Sequence, residues 1–386
     1  MVTTVPPVDR TAPLDGILVA DFSRILAGPL ATQTLGDLGA DVVKVEAPGG
    51  DDTRSWGPPF TPDGTATYAL AANRNKRSLV LDLRDAGDRK LARTLALRAD
   101  VVVANLKPGA MERFGLGYED LAAEHPRLVY CAINGFGSGA GAELPGYDPL
   151  VQAVGGLMSV TGPDGGDPVK VGVALVDVIA GLNAAVGILA ALRERDRSGQ
   201  GQMLEITLLG TVLAALANQA TGYLNAAAVP RPLGTRHPSI EPFATYACAD
   251  GPLMICAGND RQFAALSAAL GLAELTADPR FATNADRVVH HAELRPLLES
   301  ALSAATSAEW AERLSAAGVP AGPVNDLAGA FGLAEDLGLD IVDDHAGIRT
   351  PASPVGLYDT PPTTRRPPPT LDEHGDELRA WLSGPR

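Results

Sequence analysis

One aspartate, Asp177, lies in a stretch of the chain that is otherwise apolar. Valine, alanine, glycine, leucine and isoleucine surround it over residues 171–182. Burying an unpaired carboxylate is costly, so the fold has to supply hydrogen-bond donors, a cation or a helix N-terminus. Asp177 is then the N-cap of a helix over residues 178–193, or a dehydrated, ionised carboxylate that can act as a nucleophile. The two roles are compatible, and the residues alone leave both open.

Two loops that follow apolar strands offer groups to an anionic ligand. The first, residues 23–29, lacks the glycine pattern of dinucleotide-binding and phosphate-binding loops. Nicotinamide, flavin and nucleoside triphosphate roles therefore lose most of their support. The second loop contains Asn105 to Ala110 and is followed by Arg113, a side chain that could reach a phosphate. On these residues alone, an ordinary loop with a solvated arginine is the simpler interpretation.

Two further segments have an ordinary and a functional interpretation. Tyr147, within Pro145 to Pro149, is either a core aromatic residue or part of a surface that faces a ligand. His237, in the segment from Gly234 to Pro238, either caps a backbone group in a polar turn or belongs to a loop that closes over a site.

The elements that must position these residues follow an alternating pattern. Residues 17–22 and 42–46 read as short buried strands, and residues 28–39 between them have helical spacing. Similar segments recur at 78–83, 90–98, 101–105 and 128–133. Strand–helix–strand units of this length pair in parallel with a right-handed crossover, so we expect an α/β domain.

The second half of the chain has a different organisation. Residues 206–223 predict one long helix, and Asp250-Gly251 between two apolar runs predicts a hairpin of residues 243–247 and 253–257. Helical patterns resume at 262–270 and 293–317, and a Pro-rich tail ends in a short helix near 373–382. We therefore expect four segments: a large domain (1–205), a linker helix (206–225), a small α+β domain (226–325) and a C-terminal segment (326–386).

Composition narrows the functional classes. The formal charge is −15 with no basic run, which argues against duplex DNA and anionic membranes as partners. Three cysteines without metal-ligand spacing predict neither a disulfide framework nor a metal site. The first residues lack the pattern of a secretory signal, and residues 171–192, although apolar, contain Asp177 and Asn183. We interpret that stretch as a buried strand and helix, and we expect a cytoplasmic protein.

Taken in order, these segments resemble the family III CoA transferases, a group that includes the α-methylacyl-CoA racemases. The resemblance covers nearly the whole chain. It rests on short matches in register: residues 14–16, 21–22, 27–29, 38–49, 75–78, 105–109, 113, 145–148, 177, 187–192, 197–202, 258–260, 278–281 and 318–324.

The resemblance implies a Rossmann-like large domain with a parallel sheet, a smaller α+β domain and an interlocked homodimer. It also implies that coenzyme A, as acyl-CoA, is a substrate with a small carboxylic acid, and that Asp177 is the catalytic carboxylate. The implied CoA contacts are Leu26, Ala27, Ala47, Leu81 to Arg84, Asn105, Leu106, Lys107, Arg113, Pro145, Gly146, Tyr147 and Asp148.

This chain departs from the family pattern at two places. Ala47 stands where some relatives have an arginine, and the triple-glycine loop of formyl-CoA transferase is absent. The segment containing Gly234 and His237 is expected to take the place of that loop as a lid over the substrate.

Three activities fit the resemblance. A CoA transferase needs one nucleophile, which Asp177 supplies through an aspartyl anhydride and an aspartyl-CoA thioester. A racemase needs two proton-transfer groups. By the resemblance, the racemase branch has a histidine at the position that Tyr147 occupies in this chain. An ordinary tyrosine has a pKa near 10, too high for an efficient base at neutral pH, so transfer is favoured over epimerisation. A non-catalytic acyl-CoA-binding protein is the third alternative, and the presence of Asp177 argues against it.

Overall fold

The computed structural model describes residues 12–385, which divide into two compact units. The first unit contains residues 12–157, 171–228 and 340–385, and the second contains 158–170 and 229–339. The domain boundaries expected from the sequence stay a prediction. The expectation drawn from residues 1–11 lies outside the described residues.

The first unit contains a parallel six-stranded sheet in the order β3-β2-β1-β4-β5-β6. This arrangement confirms the α/β fold, and the strand order is that of doubly wound sheets. The strands are β1 (Leu18–Asp21), β2 (Asp41–Glu46), β3 (Lys76–Val80), β4 (Val101–Ala104), β5 (Val129–Asn134) and β6 (Met203–Thr207).

Helices cover both faces of this sheet because its strands are apolar on both sides. Neighbouring strand residues point to opposite faces, so Val19 packs in one buried cluster and Ala20 in the other. The helices are α1 (Ala27–Asp37), α2 (Thr67–Leu70), α3 (Ala86–Arg98), α4 (Tyr118–Ala122), α5 (Asp148–Val154), α6 (Leu175–Ser198), α7 (Leu208–Ala215) and α8 (Ala217–Ala226).

Two predicted elements differ from the structure. The strand expected before Asp177 is absent, because the chain bends at residues 172 and 173 and α6 begins at Leu175. The long helix expected over 206–223 is also wrong. Its first residues end β6, which pairs with β5, and α7 and α8 are separate helices because Ala217 has a positive φ of 42°.

Helix α6 packs in the core of the first unit. Val176, Ala180, Ala184 and Ile188 belong to the buried cluster that also contains residues of α1. By length and composition α6 could also cross a membrane, although 44% of its most apolar window is buried inside the structure. Core helices of soluble proteins meet the same criterion, so this is weak evidence for a membrane span.

The second unit has its own core and a small antiparallel sheet. The predicted hairpin is confirmed as β7 (Phe243–Ala247) and β8 (Pro252–Cys256), and β9 (Ala321–Pro323) adds a third strand. The helices are α9 (Asp260–Ala269), α10 (Asn284–Val289), α11 (His291–Leu302), α12 (Ser307–Ala316) and α13 (Leu327–Asp336). The predicted helical pattern over 293–317 is two helices, because Thr306 forms a capping box that starts α12.

The C-terminal residues of the first unit add a hairpin and a helix. The hairpin pairs β10 (Val342–His345) with β11 (Ile348–Pro351). The predicted short helix near 373–382 is confirmed as α14 (Gly375–Ser383). Leu378 and Leu382 of α14 pack in the buried cluster that contains residues of α3. The tail thus completes one layer of the first unit.

Candidate active site

A cavity of about 220 Å³ opens at the carboxyl ends of β1, β4 and β5. The strand order reverses between β1 and β4, and doubly wound sheets bind ligands at such a switch point. The predicted site residues that line this cavity are Leu26, Ala27, Asn105, Leu106, Lys107, Pro145, Gly146, Tyr147 and Asp177.

Asp177 lies in the first turn of α6, but it is not the N-cap. The N-cap is Ala174, whose side chain accepts no hydrogen bond. Asp148, 29 residues earlier, supplies the missing acceptor, because its Oδ2 accepts from the backbone N–H groups of Val176 (2.8 Å) and Asp177 (3.2 Å). The Gln152 amide donates to the other oxygen of Asp148 at 2.6 Å. The N-cap prediction for Asp177 is therefore wrong, and Asp148 performs that role.

This arrangement leaves the Asp177 carboxylate without stabilising partners. Among residues 12–385, no group donates a hydrogen bond to it. Burial and the negative charge of Asp148 raise the pKa of Asp177 to about 7. We expected the helix N-terminus to keep this carboxylate ionised, but Asp148 takes those N–H groups. Asp177 is consequently a basic, poorly solvated carboxylate facing a cavity, as a nucleophile requires.

The loop between β1 and α1 forms one wall of the cavity. Arg24, Ile25, Leu26 and Ala27 all line it. A Cβ atom on Gly181 would lie 2.6 Å from the carbonyl oxygen of Ala27, so α6 packs directly against the end of this loop. The absence of a side chain at Gly181 thus brings Asp177 beside the loop.

Asn105 holds the same loop. Its Oδ1 accepts from the backbone N–H of Arg24 at 2.8 Å, and its Nδ2 donates to the Arg24 carbonyl at 2.6 Å. Because both ends of the amide are engaged in this way, its direct role is to position the loop.

The opposite segment, residues 145–147, approaches the loop after β5 very closely. A Cβ atom on Gly135 would lie 2.6 Å from the Cα of Gly146, so the backbones touch. Near this segment, the Lys107 ammonium donates to the Glu143 carbonyl at 3.1 Å. The Tyr147 side chain is 58% exposed. Tyr147 is therefore not the core aromatic residue of the ordinary interpretation.

A second cavity, of about 460 Å³, collects the other predicted CoA contacts. Ala47, Leu81 and Arg84 line it, and Arg24 and Leu106 line both cavities. The exposed Arg84 guanidinium already pairs with Asp82 at 2.9 Å. Two cavities that share lining residues provide a continuous surface for a long ligand.

Three other predicted residues lie elsewhere. Arg113 is exposed and lines neither cavity, although its neighbour Phe114 lines the second. Gly234 belongs to the second unit, where its N–H donates to the Gly162 carbonyl at 2.9 Å. His237 accepts from the Ser239 N–H through Nδ1 at 3.0 Å, as a capping side chain does.

The residues that the sequence analysis missed include Arg24, which lines the site, and Tyr68, which lines neither cavity but lies within electrostatic range of Asp177. Arg24 stands between the cavities, and its place in the first strand-to-helix loop could have indicated this. Tyr68 is half-buried, and burial together with the charges of Asp177, Asp148 and Asp51 raises the pKa of its phenol. Its ring meets Trp56 edge-on, with 5.3 Å between centroids. No motif around Tyr68 connects it to Asp177, so only the fold could reveal it.

A doubly wound sheet with a crevice at its switch point, and a poorly solvated carboxylate in that crevice, are typical of the active site of an α/β enzyme. The chain belongs to CoA-transferase family III, whose model matches residues 14–375. It is accordingly an enzyme that transfers CoA between an acyl-CoA and a carboxylate.

Relatives and solved structures agree with this assignment. The chain is 41% identical to the succinate–glutarate CoA-transferase of Agrobacterium fabrum, over 97% of this chain and 96% of that protein. It is 39% identical to the acetyl-CoA:oxalate CoA-transferase of Acetobacter aceti, over 99% of each. The crystal structure of a CAIB/BAIF family protein from Brucella suis is 42% identical with a TM-score of 0.88, covering 97% of this chain and 100% of that one. These matches favour transfer over the epimerase and binding-protein alternatives.

CoA is thus a substrate of this enzyme. Within residues 12–385, no group of three or more His, Cys, Asp or Glu side chains is arranged to hold a metal ion. The expectation that the reaction needs no metal stays a prediction.

Proposed function

We propose that Asp177 is the nucleophile of a CoA transfer that proceeds through covalent intermediates. The observation that carries this proposal is the position of its carboxylate: in the cavity at the switch point, with a pKa raised to about 7 by burial and by Asp148. Such a carboxylate is more basic than an ordinary aspartate and has little solvation to lose on attack.

The proposed reaction has four balanced steps. The ionised Asp177 attacks the donor acyl-CoA carbonyl, which forms a mixed anhydride and expels CoA thiolate. The thiolate attacks the aspartyl carbonyl, which releases the donor acid and forms an aspartyl-CoA thioester. The acceptor carboxylate attacks that thioester to form a second anhydride and thiolate. The thiolate then attacks the acceptor carbonyl, so that the new acyl-CoA leaves and Asp177 is regenerated.

We propose that CoA extends across the two cavities. The loop residues Leu26 and Ala27 and the residues from Pro145 to Tyr147 surround the reacting end, next to Asp177. The nucleotide end occupies the second cavity, with Ala47, Leu81 and Arg84. Asn105 and Asp148 act here by holding the loop and α6 rather than by touching CoA. Leu106 and Lys107 line the path between the two ends of CoA, and Arg113 binds a phosphate at the surface. The expectation that Gly234 and His237 form a lid stays a prediction.

The acids are proposed to be dicarboxylic. Relatives are named for succinate, glutarate, oxalate and mesaconate, which carry two carboxyl groups. The oxalate enzyme is also named for acetyl-CoA, the ester of a monocarboxylic acid, so the proposal concerns the acceptor acid. In this chain Arg24 lines the cavity and pairs only loosely with Asp52, at 3.4 Å between half-exposed side chains. An exposed pair of this kind contributes little, so the guanidinium is available to a second carboxylate.

We also propose an interlocked homodimer in the cytoplasm. Several apolar side chains are exposed in the single chain: Leu182 and Val186 on α6, and Tyr223 and Leu224 on α8. In the second unit, Leu327 and Leu333 of α13 and Leu337 directly after it are also exposed. Apolar surface of this extent is typical of interfaces between chains, and a second copy would cover it.

The test of the nucleophile compares Asp177→Ala with Asp196→Ala. Asp196 is an exposed carboxylate on the same helix, so its loss controls for effects on α6. We expect Asp177→Ala to lose transfer between succinyl-CoA and glutarate while CoA binding, measured by calorimetry, remains. Asp196→Ala should retain both. Substantial transfer by a verified Asp177→Ala protein would refute the proposal. A parallel panel of monocarboxylic acids of matched length should react at least tenfold more slowly than the diacids.

A further inference from the structure

The loop between β1 and α1 is held by polar side chains at three consecutive residues, from Ser23 to Ile25. The Ser23 carbonyl accepts from the Lys44 ammonium at 3.0 Å, and the Ile25 N–H donates to the Asp51 carboxylate at 3.1 Å. Between these residues, Asn105 holds both backbone groups of Arg24. Three consecutive residues of an irregular loop therefore have fixed backbones.

Ile25 occupies an unfavourable conformation within this loop. Its φ is +68°, in the left-handed region that a β-branched residue rarely adopts. Residues in such conformations persist only where their surroundings impose them, and they cluster at functional sites. Here the imposing group is Asp51, which bonds the N–H of Ile25 itself.

Asp51 and Lys44 form an ion pair that is almost completely buried. Their side chains are 2% and 1% exposed, with 2.9 Å between the Lys44 Nζ and an Asp51 oxygen. Thr53 donates to the same carboxylate through its N–H and its hydroxyl, at 3.1 and 2.9 Å. Buried pairs often add no net stability over apolar residues of the same volume. Stability alone does not account for a pair whose bonds converge on one loop.

We propose that Lys44 and Asp51 are positioning residues of the transfer reaction. The pair imposes the left-handed conformation on Ile25 and thereby fixes Leu26 and Ala27, the cavity wall against which α6 packs beside Asp177. This inference rests on the proposed function, since the wall positions the acyl thioester only if transfer occurs in this cavity. Neither residue lines the first cavity, so both act on the reacting end through the loop. Both line the second cavity, so KM for acyl-CoA is measured beside kcat: a positioning role lowers kcat, whereas a direct contact with CoA raises KM.

The experiment replaces the pair without leaving a buried charge unpaired. Lys44→Met with Asp51→Asn should lower kcat roughly ten- to a hundredfold. This range follows because the pair no longer holds Ile25 in its strained conformation. The matched control is Arg74→Met with Asp37→Asn, because that pair is also buried, with side chains 6% and 5% exposed, and its hydrogen bonds reach no residue of the loop. The control should lose a similar amount of thermal stability and keep kcat within about twofold.

A rescue separates positioning from general damage. Glycine adopts a positive φ without strain, so adding Ile25→Gly to the Lys44→Met, Asp51→Asn protein should recover about tenfold in kcat. Adding Ile25→Val, which keeps the β-branch, should recover nothing. A milder variant, Thr53→Val, removes the hydroxyl bond to Asp51 and keeps both charges; if the double variant does not fold, a roughly threefold lower kcat here is the expected result.

The results of these variants either support or overturn the positioning role of Lys44 and Asp51. Unchanged kcat in both Thr53→Val and the pair variant, an equal loss in the control pair, or no difference between the glycine and valine additions would overturn it. Wild-type enzyme with an intact Asp177 is the reference throughout. A failure of the inference therefore appears as active loop variants, whereas a failure of the proposed function appears as an active Asp177→Ala protein.

Discussion

Replacing Asp177 by asparagine removes a carboxylate whose ionisation the fold opposes. Burial and the charge of Asp148 raise the pKa of Asp177 from the ordinary value of 3.8 to about 7. Between these two values the unfolded chain has lost the proton while the folded chain retains it. The stability of the wild type therefore falls as the pH rises from about 4 to about 7, then levels off. Asparagine has the same size and does not titrate, so the Asp177→Asn protein does not lose this stability as the pH rises.

The size of the effect follows from the shift. A difference of about three pKa units corresponds to about 4 kcal/mol, which is an upper limit because Asp177 is partly exposed and water screens its charge. The loss amounts to about 1.4 kcal/mol for each pH unit inside the window. Between pH 5 and pH 8, the stability advantage of Asp177→Asn over the wild type should grow by up to about 2.6 kcal/mol.

Urea denaturation at one protein concentration measures this difference. Wild type, Asp177→Asn and the exposed control Asp196→Asn are unfolded at pH 5 and at pH 8, and the free energies of unfolding are compared pairwise. The difference between wild type and the control should not depend on pH in this way. An Asp177→Asn protein whose advantage is the same at both pH values, or which is less stable than the wild type at pH 8, would refute the reasoning.

Three further expectations concern activity and assembly. Because only ionised Asp177 attacks, kcat/KM should rise about tenfold per pH unit below about 7 and be flat above it, and Asp148→Asn should move the inflection to lower pH; a profile that is flat from pH 5.5 to 8 contradicts this. Tyr147→Phe should weaken CoA binding and leave transfer intact. Neither the wild type nor Tyr147→Phe should introduce solvent deuterium at the α-carbon of a 2-methylacyl-CoA; rapid α-deuteration, measured by mass spectrometry, would support the epimerase alternative. Light scattering should find a dimer that does not dissociate on dilution, whereas a folded, active monomer would exclude interlocked chains.

Much of the first unit was predictable because its signals are local. Residues 17–22 and 42–46 are short apolar runs that flank a helical pattern, and the structure has β1, α1 and β2 there. Parallel pairing follows from that connection alone. The carboxylate at Asp177 was predictable for a similar reason, since a charge in an apolar run is visible without the fold.

Other features depend on partners that are distant in sequence. Asp148 caps α6 from 29 residues away, so the pattern around Asp177 assigned the cap to the wrong aspartate. The first two residues of the predicted helix over 206–223 belong to a strand because β5 offers an edge for pairing. Likewise, Lys44 and Asp51 read as ordinary polar residues, and only the fold buries them under the loop.

The covalent state of Asp177 during turnover tests the central proposal most directly. Enzyme incubated with succinyl-CoA is quenched with hydroxylamine, digested and analysed by mass spectrometry, with Asp177→Ala and substrate-free enzyme as controls. An acyl anhydride or a CoA thioester on Asp177 converts to a hydroxamate, whereas a general base forms no bond to trap. The proposal predicts a hydroxamate on the peptide containing Asp177 only when acyl-CoA is present. An unmodified Asp177 in an enzyme that is actively transferring CoA would contradict it.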